Sequence, residues 1–191
     1  MTGFVLITVI WFCVTDVFST TYNVKDFGAK PDTAFDSQKA FQDAIDKANE
    51  NGGGTVVVPA GNYLISGIEI KSNIHFIVEG GATVFGSKDM MSYPSHKSFD
   101  QHGNDITRRY LVSLHEAENV IISGKGGIDG QGLFYWDNNP TLPHWIRAKK
   151  ERPNALLEVA DCKNIKIRDI TLINKFSELD LSCFAFRRYC D

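Results

Sequence analysis

Asn73-Ile74-His75-Phe76-Ile77, Asn119-Val120-Ile121-Ile122 and Asn164-Ile165-Lys166-Ile167 decide how this chain folds. Each begins with Asn, then a branched aliphatic residue, any residue, and an apolar residue. They stand 46 and 45 residues apart. Near-equal spacing of that size marks a solenoid, in which each turn of chain stacks on the last. Stacking sets Asn above Asn, where side-chain amides can bond along the column. In Ile165-Lys166-Ile167-Arg168 the alternation buries one face of a strand and solvates the other.

Outward from these units the chain is a series of short β-branched runs. Thr55–Val58, Asn62–Ile65, Ile68–Ile70, Ile74–Glu79, Thr83–Phe85, Tyr110–Leu114, Val120–Ser123, Leu156–Val159, Ile165–Arg168 and Ile170–Ile173 read as strands. Each is bounded by Gly, Asn, Asp or Ser. One segment has a helical period: in Ser37–Asn51 the apolar stripe is Ala40, Phe41, Ala44, Ile45 and Ala48. Asp36 or Ser37 can cap it, and Gly52 supplies the left-handed residue that ends it. Short strands with no helices between them predict an all-β fold, a parallel β-helix. The hand of parallel crossovers makes it right-handed. The helix then covers the open sheet edge of the first coil.

Composition sets limits on function. The 191 residues are 43% hydrophobic and 23% charged, as in ordinary globular chains. The 20 Lys and Arg against 23 Asp and Glu leave a net charge of −3, with no basic excess to hold a nucleic acid. Gly3–Val14 is apolar over 12 residues, too short for a span of about 20 and suited to a signal core of about 7–15. Cleavage after Ser19 is the expectation, although residues 1–19 hold no Lys or Arg. A buried N-terminal strand is the competing reading. Removal of 1–19 takes away Cys13 and leaves Cys162, Cys183 and Cys190, an odd number outside the cell. The mature chain is expected to be secreted, off the membrane and monomeric.

Two long departures break the strand rhythm, Lys88–Arg109 and Leu133–Pro153. Both are polar and carry aromatic and His residues, among them Tyr93, His96, Phe134, Tyr135, Trp136 and Trp145. Loops of this length are often functional. Other motifs fail. Gly124-Lys125-Gly126-Gly127-Ile128-Asp129 places Asp where a dinucleotide fingerprint needs its third Gly, so these glycines read as coil turns. The five His are not spaced as metal ligands. No cofactor and no metal are expected. Asp129 reads as a turn carboxylate bonding backbone N–H groups.

Tyr22–Ala29 (YNVKDFGA), Asp36-Ser37 before the helix, Gly53–Tyr63 (GGTVVVPAGNY) and Ile128-Asp129-Gly130-Gln131-Gly132 occur in that order, with Trp136 and Arg152-Pro153 beyond. This set resembles the N-terminal part of glycoside hydrolase family 28, the polygalacturonases, in the pectate-lyase-like right-handed β-helix superfamily. The resemblance runs from Tyr22 to Asn174. It implies inverting hydrolysis of α-1,4-galacturonosyl bonds, with one Asp as acid and others activating water. The family carries these groups in Asn-Thr-Asp, Asp-Asp, Gly-His-Gly and Arg-Ile-Lys, and none is present. Lys166-Ile167-Arg168 has the reverse order, and Gln101-His102-Gly103 lies far upstream. No catalytic residue is therefore assigned.

The organisation expected is a signal at 1–19, the N-terminal coils of a truncated β-helix at 20–174, and an atypical tail at 175–191. The expected partner is pectin or polygalacturonate, touched through Trp136, Trp145 or Lys and Arg. If the chain did cleave it, Asp129, Asp137 and Asp161 would be the first carboxylates to test. A rhamnogalacturonan hydrolase, a pectate lyase and a non-catalytic carbohydrate-binding β-helix are the alternatives.

Overall fold

Asn73, Asn119 and Asn164 stand one above another with left-handed backbones (φ 61°, 58° and 53°). Their side chains form a ladder. The Asn119 amide donates to Asn73 Oδ1 at 3.2 Å, and the Asn164 amide donates to Asn119 Oδ1 at 2.8 Å. Asn tolerates this conformation better than other side chains, so the chain turns the same corner three times. The computed structural model describes residues 20–99, 105–138, 146–149 and 151–175. The expected signal, the tail beyond Lys175, Trp145, His102 and His144 lie outside them.

In chain order the elements are β1 (Thr21–Asn23), α1 (Gln38–Glu50), β2 (Gly54–Val58), β3 (Gly61–Ile65), β4 (Ile68–Glu69), β5 (Ile74–Val78) and β6 (Ala82–Gly86). Then come β7 (His96–Phe99), β8 (Asp105–Arg108), β9 (Tyr110–His115), β10 (Glu118–Ser123) and β11 (Gly127–Asp129). The last are β12 (Trp136–Asn138), β13 (Ile146–Ala148), β14 (Ala155–Ala160), β15 (Lys163–Arg168) and β16 (Thr171–Ile173). Three parallel sheets result: sheet A in the order β1-β2-β5-β10-β15, sheet B in the order β3-β6-β11-β16, and sheet C in the order β4-β9-β14. Each coil passes from sheet C through the Asn corner to sheet A and on to sheet B. The fold is a right-handed parallel β-helix, as its structural relatives show below.

Register carries the core up the stack. Val56 pairs with Phe76, Phe76 with Ile122, and Ile122 with Ile167. Val56, Phe76 and Ile122 are buried, and Ile165 and Ile167 pack against them from the top coil. In sheet B the matching column runs Tyr63, Val84, Ile128 and Leu172. Its first three are buried, and Leu172 is 41% exposed among the described residues. Close stacking leaves no room for a side chain at some corners: a Cβ on Gly124 would sit 1.9 Å from the Val78 carbonyl oxygen.

The helix lies across the N-terminal coil, as its apolar stripe requires. Phe41 is fully buried, edge-on to Tyr63 at 5.6 Å and beside Phe76 at 6.5 Å. Asp36, not Ser37, caps the first turn, accepting from the Gln38 N–H at 2.9 Å. The Ser37 hydroxyl is engaged instead by the Lys30 backbone. At the other end the Gly53 N–H reaches Ala48 O and the Gly52 N–H reaches Asn49 O. That pair of bonds is the Schellman closure, with Gly52 at φ 86°.

Two readings of the sequence change. The long departures are not wholly irregular: each holds an antiparallel hairpin, β7–β8 and β12–β13. Their polar, aromatic composition lacks the sustained β-branched runs that mark the coil strands. Gly127-Ile128-Asp129 is not merely a turn but strand β11, paired with β6 and β16. Its glycine masks the strand pattern because it contributes no side chain to either face.

Candidate functional site

Both insertions leave the end of a sheet B strand and return to sheet C. Successive coils are in register, so the two exits lie side by side. The Ser87 carbonyl oxygen ties them, accepting from Tyr93 OH at 2.8 Å and from Tyr135 OH at 2.9 Å. The Gln131 side-chain amide adds a bond to Gly86 O at 2.6 Å. Burial pushes the Tyr135 phenol up to about 12, with Asp89 adding to the effect, and burial raises Tyr93 as well. Both phenols therefore stay neutral donors at any physiological pH.

Between these roots opens a cleft of about 430 Å³, bordered by Lys88, Asp89, Met91, Phe134, Lys149 and Glu151. Phe134 is 45% exposed and Met91 more so. The Lys149 ammonium lies 4.5 Å from the centre of the Phe134 ring and the Lys88 ammonium 5.6 Å from it. Asp89 is exposed and caps the short turn that follows it, its Oδ1 accepting from the Met91 N–H at 2.9 Å. Lys149 is held by its backbone: its N–H donates to Tyr135 O at 2.8 Å, and the Arg152 guanidinium donates to Lys149 O at 2.9 Å. Neither Lys88 nor Lys149 has a salt bridge among the described residues. An exposed ring flanked by two cations suits a ligand with an apolar face and an anionic group.

The carboxylates singled out in the sequence are dispersed. Asp129 does structural work: Oδ1 accepts from the Gln131 N–H at 2.7 Å and Oδ2 from the Asn174 amide at 3.0 Å. Asp161 is an exposed corner residue at φ 53°. Asp137 lies on β12, with its side chain outside the described residues. Trp136 is half-buried on the same strand. Lys166-Ile167-Arg168 sits within β15 as a repeat strand. His75 bonds the Ser123 hydroxyl at 2.7 Å, and burial, with Arg168 nearby, holds it below the usual histidine range. Among the described residues no cluster of three His, Cys, Asp or Glu could hold a metal ion. Sequence reading marked Phe134 and Tyr135 within the second departure but missed Lys149. Nothing local sets Lys149 apart, because its partner ring lies 15 residues away on the far leg of an insertion.

A stack of parallel coils in three sheets is the architecture of the parallel β-helix proteins. The chain belongs to the rhamnogalacturonase A/epimerase, pectate-lyase-like family, whose model matches residues 21–126. It is 32% identical over 158 residues to a probable polygalacturonase of Vitis vinifera, covering 78% of this chain and 31% of that one. It is 49% identical over 118 residues to alginate lyase 7 of Azotobacter vinelandii, covering 57% of this chain and 14% of that one. The family 28 exopolygalacturonase of Yersinia enterocolitica shares the fold, with a TM-score of 0.67 at 23% identity over 82% of this chain and 35% of that one. The chain thus spans about a third or less of these relatives. The polygalacturonase resemblance read from the sequence and the β-helix expected from its repeats both hold.

Proposed function

We propose that the chain supplies the first coils of a secreted, pectin-degrading glycosidase of the polygalacturonase type. In this reading the described coils hold the polysaccharide, and the groups that hydrolyse its α-1,4-galacturonosyl bonds lie outside them. The observation that carries the reading is the Lys88–Phe134–Lys149 cleft at the paired insertion roots. Polygalacturonate presents one carboxylate per sugar, and each sugar has an apolar face. Inverting hydrolysis needs an acid and a base about 6.5–9.5 Å apart with a water between them. Asp129 is spent on its turn, and the family's acid motifs are missing from the sequence.

A second reading has its own support. The 49% identity to an alginate lyase favours a different uronate polymer. Alginate bears the same carboxylates, so the cleft suits both.

Affinity electrophoresis separates these readings. The chain is run through gels containing polygalacturonate, alginate, or fully methyl-esterified pectin. Retardation by polygalacturonate above the other two is expected. Lys88→Gln with Lys149→Gln should weaken it roughly fivefold, since two exposed ion pairs contribute about 0.5 kcal/mol each. Salt should weaken it too, as ions screen surface charges. Stronger retardation by alginate would favour the second reading. Equal migration in all three gels would reject both.

A further inference from the structure

The first insertion also meets the body of the β-helix at a cluster that the cleft does not use. His96, which opens β7, packs its ring against two side chains of β9. The ring centres lie 5.5 Å from Tyr110 and 4.8 Å from His115, and Tyr110 and His115 are themselves 6.1 Å apart. His96 and Tyr110 line a cavity of about 300 Å³, together with Asp46 of α1, Glu69 of β4 and Lys71. The legs of the insertion are pinned on either side of this contact. Tyr93 OH holds Ser87 O, the Arg109 guanidinium donates to Tyr93 O, and the Arg109 N–H donates to Asn154 Oδ1 at 2.8 Å. Between Tyr93 and Arg109, ring contacts made by His96 tie β7 to sheet C.

We infer that His96 and His115 form a proton-operated clasp: with at most one proton between them they hold the base of the β7–β8 hairpin on sheet C, and with two they push it off. Two imidazoles in ring contact cannot both be charged without strong repulsion, so a second proton works against the contact. The surroundings accommodate one charge and not two. Glu69 faces His96 and favours a single proton there. Lys71 is already paired with Asp46 at 2.9 Å. Glu158 of β14 and Arg108 of β8 both act on the Tyr110 phenol, and Arg108 also stands opposite His96 in the hairpin.

Burial, and then His115, hold docked His96 below its ordinary range, with Glu69 opposing. A released His96 returns to about 6.5. The released state therefore binds protons more readily than the docked one. Docking is complete above about pH 6.5 and weakens as the pH falls below it.

Amide hydrogen exchange on the 191-residue chain at pH 7.5 and 5.0, corrected for intrinsic rates, tests the clasp. The amides of 96–99 and 105–108 should lose at least tenfold protection at pH 5.0 relative to those of β5. The double variant His96→Phe with His115→Phe keeps the ring contacts without the proton, and its protection should change less than twofold. Equal wild-type protection at both pH values overturns the clasp, as does the same pH-dependent loss in the variant. Imidazole titration in the wild-type chain decides the matter without any substitution. His96 should protonate below the ordinary histidine range while the hairpin is docked, and a His96 curve at about 6.5 would overturn the proposal.

Discussion

Asn119 sits in the middle of the corner column, with a left-handed backbone at φ 58° and amide bonds to the Asn above and the Asn below. Two effects are combined there, and two substitutions separate them. Asn119→Ala removes both bonds and forces a Cβ residue without a local partner into the left-handed region. The loss should be about 2 kcal/mol, since that region costs roughly 1–2 kcal/mol and exposed bonds add little. Asn119→Gly removes the bonds alone and should cost less than about 0.5 kcal/mol. Urea unfolding measures both, and equal losses would show that the backbone conformation contributes nothing. The column was legible in the sequence because corner chemistry sits in adjacent residues that recur in step. The contact of His96 with His115 was not, because an insertion of unpredictable path separates them.

At the scale of elements, α1 is a lid on an open sheet edge, and its hold depends on one ring. Phe41 fills the end of the core against Tyr63 and Phe76. Phe41→Ala should cost about 3–5 kcal/mol, seen as a lowered thermal midpoint. An unchanged midpoint would mean the helix rests on the coil without packing into it. The helix was legible because five apolar residues mark one face and Gly52 marks its end. All ten strands anticipated from β-branched runs are present, with ends shifted by one or two residues. The missed strands share physical causes. β1 has three residues, β11 opens on Gly127, and the four hairpin strands belong to the insertions, whose sequences carry no sustained β-branched run. The capping choice between Asp36 and Ser37 depended on the Lys30 backbone, which reaches Ser37 through a loop.

At the scale of the whole molecule, repetition made the fold readable and left the function only partly so. A coil needs a buried face on each strand and a turn residue at each corner, and both leave local marks. A binding cleft needs neither. Lys88, Phe134 and Lys149 meet because coils 45 residues apart stack in register, and their insertions then leave side by side. Of the carboxylates singled out in the sequence, Asp129 is bonded to Gln131 and Asn174, and Asp161 is exposed at a corner.

Under the proposed function these coils grip an acidic polysaccharide without cutting it. The most direct test is a reducing-end assay with the purified 191-residue chain on polygalacturonate, beside a heat-killed control. Rate in a glycosidase comes from groups acting in the transition state, which binding alone does not replace. The proposed function predicts reducing-end release no faster than the control. Sustained turnover abolished by Asp137→Asn or Asp161→Asn would contradict it and place the catalytic groups within this chain.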